Sequence, residues 1–540
     1  MSDLRASILL LSLLACSIPV TAKRVVVGGG SGTLNYPNAQ TSLGLSPGDT
    51  VAIKPGVYNG LTLANLRGTA QARIVVTNDG GLVEFAGFCS GCSANLTDVA
   101  NVVFTGSGAP GIAQGFFFHD LPYRALQLDG DMDSTTIGDC RFLNVVDNVI
   151  RMDNTTRKYD GTPGSLVRGM KFLRNSFRNC GNAIDWGNYS GASDQLAVGR
   201  DIEIAYNTVD SCQGGEAFRL NKVYRVDVHH NIVTNMGLGL TTSHPGIVML
   251  RGDGDIHHNY FHNVWGVCAR GFGAGLDGIG EIRVYDNLFL GSRKYSAVEA
   301  QTFSTDVSAD TSVSPHVGIC NYRVFDNTMG NQTARDFTAA MVDVYTLLGG
   351  RCEIRNNLGF NIAKDKAYDP STNYVYNLEN PNPPDTSNNL YRPNYSDLGL
   401  SDSVECKLLP GSIAIDKGVG VPWVVDDYAG VPRPQGSAPD VGAREFVPTT
   451  ATSATDRIGD PGLRFFPAPD GRTLLVSAPS RIQEVVLRTL DGRFLASRPG
   501  AGSSRLEIPL EPSLRGLLLV TVRARSFSTT RLVLAGTTAP

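Results

Sequence analysis

The sequence lacks the features that mark several common classes of protein. Its 540 residues carry a net charge of only −4. They contain no basic run and no interleaving of basic with aromatic residues, which excludes the usual patterns of nucleic-acid binding. Beyond the N-terminal segment, no stretch approaches the ~20 apolar residues that span a bilayer. Apolar residues at helical spacing are scarce, whereas glycine is abundant at 60 residues. These absences favour an all-β protein with no nucleic-acid partner.

The first 22 residues have the composition of an export signal. Arg5 supplies the positive charge, residues 6–20 form the apolar stretch, and Val20-Thr21-Ala22 offers a small-residue cleavage site. Lipoprotein processing at Cys16 is the alternative, although Leu14 suits that site poorly. Either route predicts a secreted or cell-surface protein.

Cysteine is present in an odd number once such a leader is removed. Nine cysteines follow Cys16, so at least one of them is unpaired. Cys140, Cys180 and Cys212 recur near equivalent positions and are predicted to be small apolar core residues. The CSGC segment at 89–92 is the best local disulfide candidate.

One asparagine recurs in a fixed apolar frame along the middle of the chain. An apolar residue precedes each copy by three positions, and another follows the first six copies by two, with Gly359 breaking the frame after the seventh. The copies lie 32, 24, 28, 28, 40 and 30 residues apart. Such a period indicates stacked structural repeats. The seven copies are Asn175, Asn207, Asn231, Asn259, Asn287, Asn327 and Asn357.

The residues before each asparagine alternate as they do in a half-buried strand. Val226 and Val228 are apolar, and Asp227 and His229 stand between them. A short turn and a second short strand follow each asparagine. Because one such coil cannot bury its apolar face alone, the repeats predict a parallel β-helix with an asparagine ladder between coils.

The N-terminal coils carry a motif that resembles the pectate-lyase-like superfold. The motif is Gly48-Asp49-Thr50, an apolar strand, then Gly56 and Tyr58. The resemblance covers about 23–446 and implies a right-handed parallel β-helix. Residues 412–418, 427–434 and 439–446 resemble the terminal segment of bacterial cell-surface β-helix proteins. They are predicted to form a cap, about 411–446, over the edge of the last coil.

A Thr-, Ala- and Ser-rich linker at 447–461 leads to a different composition at 462–540. Six or seven short alternating strands there predict a small β-sandwich. It resembles the C-terminal sorting domain of the type IX secretion system of Bacteroidetes, which implies the outer-membrane secretion machinery as a partner. A carbohydrate-binding sandwich is the alternative, but no tryptophan follows Trp423. The matching pieces are Pro467-Ala468-Pro469, with Ala468 where asparagine is usual, Leu490-Asp491-Gly492, Leu514-Arg515-Gly516-Leu517 and Arg531-Leu532-Val533.

Aligning the strands that follow the asparagines gives an outward set in which cations and carboxylates are mixed. Arginines in such a strip bind carboxylates or sulfates with two hydrogen bonds, which predicts an extended acidic polysaccharide as the partner. The same pattern is also typical of an ordinary solvated face. The set is Gln127, Arg151, Asp185, Arg219, Arg251, Arg270, Glu299 and Asp343, of which Arg151, Asp185, Arg251 and Asp343 are predicted to bind substrate.

The superfold resemblance implies a uronic-acid lyase as one candidate activity. In such enzymes a base removes the proton next to the sugar carboxylate, and Arg, Lys or Ca²⁺ stabilises the enolate. Arg219, Arg270 and Glu299 are the catalytic candidates, and Glu216, Glu299 and Asp343 are alternatives for holding calcium. Hydrolysis by paired carboxylates is disfavoured because the acidic residues lie far apart in sequence. A non-catalytic glycan-binding or adhesion protein is the competing interpretation.

Two further clusters deserve a prediction. Asp129, Asp131 and Asp133 alternate as in a calcium loop, although the distal glutamate of such loops is missing. The pairs His229-His230 and His257-His258 are 28 residues apart, so stacked coils bring them together. We expect a polar histidine stack there, with a metal site or a general base as the alternative.

Overall fold

The computed structural model describes residues 22–86, 92–153, 162–186, 199–276, 278–302, 319–333, 339–345, 347, 349–363, 368–378 and 383–448, together with strand segments between 464 and 535. Thirty-five strands of the described chain are linked by parallel pairing into one system that winds in coils with three faces. The predicted parallel β-helix is therefore confirmed, and its handedness stays a prediction.

From β17 onward, the first face contains the second strand after each recurring asparagine. Its strands are β2 (Ser31–Tyr36), β4 (Gly56–Arg67), β7 (Cys92–Ala100), β10 (Arg124–Asp129), β13 (Ile150–Met152), β17 (Ile184–Trp186), β20 (Phe218–His229), β22 (Gly246–His257), β24 (Val267–Gly273), β27 (Val298–Gln301), β30 (Val342–Val344) and β33 (Tyr376–Leu378).

The second face precedes the asparagines, and the long strands β20 and β22 bend from the first face into it. Its own strands are β1 (Arg24–Val27), β3 (Thr50–Ile53), β5 (Ile74–Asn78), β8 (Val102–Thr105), β11 (Thr136–Gly138), β14 (Val167–Arg168), β15 (Lys171–Leu173), β18 (Gly199–Ala205), β25 (Gly280–Tyr285), β28 (Cys320–Phe325), β31 (Cys352–Arg355) and β34 (Asp385–Ser387).

The third face comes directly after the asparagines. Its strands are β6 (Val83–Phe85), β9 (Phe116–Leu121), β12 (Cys140–Val145), β16 (Ser176–Arg178), β19 (Thr208–Asp210), β21 (Ile232–Thr234), β23 (Tyr260–Val264), β26 (Leu288–Ser292), β29 (Thr328–Gln332), β32 (Leu358–Ile362) and β35 (Leu390–Arg392). Helical turns are brief: α1 spans Ala39–Ser42, and 3-10 turns span Pro163–Ser165 and Tyr395–Leu398. Within the described chain no helix is long and apolar enough to cross a membrane.

The asparagine ladder is confirmed at the corner between the second and third faces. The backbone N–H and the side-chain Nδ2 of Asn231 both donate to Oδ1 of Asn259, each at 3.0 Å. The same two groups of Asn259 donate to Oδ1 of Asn287. The side chains are fully buried, so each amide satisfies groups that water cannot reach. Asn389 continues the ladder by accepting from Asn357 at 2.9 Å, and the sequence frame missed it because Thr386 stands three positions before it, where the other copies have an apolar residue.

Aliphatic and aromatic residues fill the space inside the coils. Phe118, Phe142 and Phe177 stack on successive coils with ring centroids 5.2 and 4.9 Å apart. Cys140, Cys180 and Cys212 are buried free thiols, as predicted for core residues. The CSGC segment lies mostly outside the described residues.

Residues 395–446, here called the flank segment, include the segments predicted to form a cap, and the shielding of the last edge stays a prediction. They run along the side of several coils, where Ala443 N–H donates to Thr328 Oγ1 at 3.0 Å and Gly442 N–H donates to Asn356 O at 2.7 Å. The reason is compositional. The outward residues of β26 and β32 are apolar, and the flank segment covers them through its own apolar residues. The covered residues are Leu288, Leu290, Leu358 and Phe360.

The C-terminal strands form a small sandwich, as the alternation predicts. Three strands pair antiparallel in one sheet and four in the other, and Leu474, Val476 and Ile508 of the first pack with Val485 and Val520 of the second. The strands are β36 (Arg464–Pro467), β37 (Thr473–Ser477), β38 (Ile482–Thr489), β39 (Phe494–Pro499), β40 (Arg505–Pro509), β41 (Gly516–Ala524) and β42 (Ser528–Ala535). Its identification as a sorting domain stays a prediction.

Candidate active site on the first face

One outward position of the first face repeats in register on successive coils. We call this set the charged row. Strand pairing joins each member to the next, so neighbours are held about 4.8 Å apart by the sheet itself. The members are Gln127, Arg151, Asp185, Arg219, Met249, Arg270, Glu299 and Asp343.

The row differs from the predicted set at one place. Met249 pairs with Arg219 and with Arg270, whereas Arg251 lies one outward position further along β22, beside Asn221 and Phe272. The alignment placed Arg251 wrongly because β22 runs unbroken from the first face to the second, so no turn marks its register. The Arg251 guanidinium lies 4.7 Å from the centre of the Phe272 ring, and that of Arg270 lies 4.8 Å from it.

Asp185 organises the cations at one end of the row. Its side chain is fully buried, and it accepts from Arg219 Nε at 2.8 Å, from the Arg219 Nη2 and from the Arg151 Nη1. Arg151 also donates through Nε to Asp153 at 2.5 Å. Two-point pairing with a buried carboxylate fixes the plane of the Arg219 guanidinium.

Glu216 lies just before β20 and shares this field. Burial raises the pKa of its carboxyl; the charge of Arg219 opposes the rise, Asp185 adds to it, and Arg270 opposes it. The Glu216 N–H donates to Asn182 Oδ1 at 3.2 Å. The structure therefore brings Glu216 into one electrostatic cluster with both catalytic candidate arginines.

Glu299 organises the other end of the row. Its side chain is 3% exposed, and it accepts from Arg270 Nε at 3.1 Å while the His244 Nε2 lies 2.7 Å from its other oxygen. Burial alone would raise the pKa of Glu299, but the hydrogen bond from His244 and the charge of Arg270 outweigh it, so the pKa is lowered. Arg270 also donates from Nη1 to the His244 carbonyl.

His244 is the functional candidate that the sequence did not reveal. It comes from the turn before β22, and Pro245 after it restricts its backbone to extended conformations. The signal was only a lone histidine before a proline. Gly246 completes the arrangement, because a Cβ there would meet the Arg270 Cβ at 2.4 Å. The site thus needs glycine at 246 to admit the arginine.

Aromatic residues border this end of the row. The Tyr295 ring stacks on His244 with centroids 3.7 Å apart, and the Lys294 Nζ lies 4.9 Å from the Tyr295 ring and 5.3 Å from that of Trp265. Tyr295 adopts a left-handed φ of 68°, which is uncommon for a bulky residue. Two cations, a histidine and a carboxylate therefore meet at one rim of the face.

Asp343 ends the row next to Glu299 and is 3% exposed. It is registered beside Asn377 on the following coil. The structure places it in the row, as the sequence predicts, but two coils away from Arg270. A role in substrate binding stays a prediction.

The three aspartates predicted to bind calcium are engaged with different protein groups. Asp131 pairs with Arg67 at 2.5 Å, Asp133 accepts from the Arg168 N–H at 2.9 Å, and Asp129 accepts from the Gly130 N–H. Across the described ranges no group of three acidic, histidine or cysteine side chains is arranged to hold a metal. Calcium binding at this turn stays a prediction.

The histidine stack is confirmed at the opposite corner. His229 stacks on His257 with centroids 5.1 Å apart, and His230 stacks on His258 at 4.9 Å. Burial and the neighbouring histidines lower the pKa of His230 to about 4 and that of His258 to about 3. His258 Nε2 donates a hydrogen bond to the Asp427 carbonyl of the flank segment at 3.0 Å, so this stack connects the coils to the flank segment.

No family model matches the chain, and no curated protein sequence matches it. Among solved structures, a PL6 family polysaccharide lyase from Pseudopedobacter saltans is similar at 13% identity and a TM-score of 0.38, over 73% of this chain and 100% of that one. The A-module of a mannuronan C-5 epimerase from Azotobacter vinelandii is similar at 12% identity and a TM-score of 0.23, over 66% and 93%. Similarity at this level assigns no activity, and the parallel β-helix rests on the strand pairing itself.

Proposed function

We propose that the protein acts on an acidic polysaccharide along the first face, as a lyase of uronic-acid glycans. The observation that carries the proposal is the placement of Arg219 and Arg270 on either side of Met249 in the charged row. Two strand spacings separate the arginines by roughly 10 Å.

The arginines are suited to bind anions because each is held by a buried carboxylate. Asp185 occupies Nε and one terminal nitrogen of Arg219, and Glu299 occupies Nε of Arg270. A guanidinium has five N–H donors in a fixed fork. Further donors on each are therefore available in a known plane to a sugar carboxylate, with little reorganisation on binding.

Anion binding at this position would assist elimination. Pairing a uronate carboxylate with a guanidinium stabilises the enolate that forms when the adjacent C–H loses its proton. Met249, 3% exposed, supplies an apolar floor between the two cations and so keeps the local dielectric low. The carboxylates of the row act in this scheme as partners of the arginines.

The test is an elimination assay on the full chain. Pectate, alginate and chondroitin sulfate are incubated with the protein, with calcium or with a chelator, and absorbance near the unsaturated-sugar band is followed. We expect absorbance to rise with at least one acidic glycan. The rate of that rise should be lower by about 10²-fold or more in Arg219→Ala and Arg270→Ala. Arg283→Ala is the matched control, because Arg283 is a similar outward arginine paired with Asp255 on the second face.

Glycan binding without cleavage is the competing function. Silence in both the absorbance assay and a reducing-end assay, with retained and salt-sensitive binding to an acidic glycan, would replace the lyase by a binding or adhesion protein. If the protein is active with calcium and inactive with the chelator, the metal has a part in the reaction.

We also propose that the chain is exported and that its C-terminal sandwich engages an outer-membrane secretion machinery. The leader at 1–22 lies almost entirely outside the described residues, so the proposal rests on its composition and on the motif pieces of the sandwich. Cell fractionation of the full chain and of a chain shortened after residue 448 tests it. Equal export of both would remove the role of the sandwich.

A further inference from the structure

We propose that His244 is the catalytic base of this site and that Glu299 positions it; the inference rests on the proposed lyase function. The His244 side chain is 37% exposed, whereas its partner Glu299 is 3% exposed. A buried carboxylate thus holds a histidine that reaches the surface of the first face, at the same rim as Arg270.

The hydrogen bond selects the tautomer that a base needs. An ionised carboxylate only accepts hydrogen bonds. A neutral His244 therefore carries its proton on Nε2 and donates a hydrogen bond to Glu299, with 2.7 Å between the two atoms. Nδ1 then holds the lone pair. The lowered pKa of Glu299 keeps it ionised at neutral pH, which stabilises this arrangement.

Packing fixes the direction of the ring as well. Tyr295 lies 3.7 Å away, centroid to centroid, at an angle of 29° between planes. Tyr295 holds a left-handed φ, a conformation that persists only when its surroundings enforce it. Ring orientation is therefore set by a hydrogen bond on one edge and a stacked aromatic on one face.

Arg270 couples base and anion binding through shared contacts. It donates to Glu299 Oε1 at 3.1 Å and also to the backbone carbonyl of His244. Lys294, between the rings of Tyr295 and Trp265, adds a second cation at the rim. Among the described residues, the titratable and charged groups that contact His244 are Glu299, Arg270 and Tyr295, and Lys294 lies next to Tyr295.

The step balances as a β-elimination. His244 Nδ1 takes the proton from C5 of the uronate, and the C–H electron pair enters the carboxylate as an enolate held by arginine. The C4–O4 bond then breaks as the C4=C5 double bond forms. O4 leaves with the pair and takes a proton from water, while His244 returns its proton to solvent.

The test compares His244→Gln and Glu299→Gln with the unchanged chain on the glycan that the elimination assay identifies. We expect His244→Gln to lower kcat by 10²- to 10⁴-fold with KM changed less than about threefold. Exogenous imidazole should restore part of the rate in His244→Ala. Glu299→Gln should lower kcat less and shift the acidic limb of the pH profile of kcat/KM.

His119→Gln is the matched control, because His119 also lies 3.2 Å from a glutamate, Glu84, but on the third face. Its kcat should be unchanged. A His244→Gln variant that melts normally and keeps kcat within threefold, whether or not its KM changes, would overturn the role of His244 while leaving the lyase proposal intact. Absence of elimination by the unchanged chain on every acidic glycan would overturn both.

Discussion

At the scale of single residues, the charged row depends on two buried carboxylates. Asp185 is buried beneath two arginines, and Glu299 is buried beneath an arginine and a histidine. Such carboxylates convert flexible cations into fixed ones. This suggests that the partners of the arginines matter as much as the arginines themselves.

Replacing Asp185 with asparagine tests this idea. The change leaves Arg151 and Arg219 partly buried without their shared anion, so we expect a loss of about 2–4 kcal/mol in the free energy of unfolding. Urea unfolding measures it, and Asp153→Asn, which removes a partner that is 25% exposed, should change stability by less than about 1 kcal/mol. Similar values for both variants would show that burial of Asp185 has no such role.

Gly246 gives a prediction that concerns glycan binding and stability together, because the Arg270 Cβ cannot move without its backbone. Alanine at 246 would press on the Arg270 side chain, whose Cβ and Cδ lie 2.4 and 3.3 Å from the added atom. We expect glycan affinity to weaken by about tenfold or more, since a shifted Arg270 guanidinium no longer presents its donors to a sugar carboxylate in the required plane. Titration with the cognate glycan measures this. Gly239→Ala, where the nearest atom is 3.6 Å away, should bind normally, and equal binding by both variants would contradict the account.

At the scale of elements, the asparagine ladder is the device that keeps the coils in register. Asn259 accepts from two groups of Asn231 and donates to Asn287, to the Val228 carbonyl and to the His257 carbonyl. Removing it leaves several buried groups unpaired at once.

We therefore expect Asn259→Ala to lower the free energy of unfolding by about 3 kcal/mol or more. Asn389→Ala at the end of the ladder, where the site is only partly buried, should cost clearly less. Thermal unfolding of the two variants in parallel gives the comparison. A larger loss at 389 than at 259 would argue against cooperative bonding along the ladder.

The elements also show what a sequence can and cannot reveal. The asparagine frame predicted the coils because a buried amide must recur wherever a coil turns. It gave no register for β22, whose passage through Gly252 and Gly254 has no turn, and so Met249 was overlooked. His244 was missed because its partner, Glu299, is 55 residues away and two coils apart, and no local pattern joins them.

The flank segment illustrates a second limit. The segment covers apolar residues at outward positions of β26 and β32. From the period-two pattern, these residues indicate only an unusually apolar strand and not a surface that another segment covers. Arg433 secures it by pairing with Asp286 at 2.7 Å and Glu445 at 2.8 Å. Asp286 lies 147 residues from Arg433, so no local spacing pattern predicts that contact.

At the scale of the whole molecule, the attachment of the flank segment should respond to pH through His258. This histidine is 6% exposed, and burial together with its histidine neighbours lowers its pKa to about 3. Because its pKa in the unfolded chain is near 6.5, its contribution to stability is fully present above that pH. It is lost as the pH falls toward the folded value.

The prediction is a difference between two proteins. From pH 7.5 to pH 5, the stability advantage of the unchanged chain over His258→Gln should shrink by about 2 kcal/mol. Burial raises the pKa of Asp326 to about 7 and of Asp440 to about 6, which acts in the opposite direction, but these terms are common to both chains and cancel. Urea unfolding at both pH values measures the difference, and a constant gap would remove His258 from the account.

The register of the first face has a consequence for how such a surface changes over evolutionary time. Because backbone pairing sets the distance between successive members of the charged row, side chains there are chosen independently of their spacing. Gain or loss of one whole coil between Arg219 and Arg270 would move the two cations by a fixed increment and leave the bonds within each coil unchanged. The spacing of charges that this face can present to a polymer therefore changes only in steps of one coil.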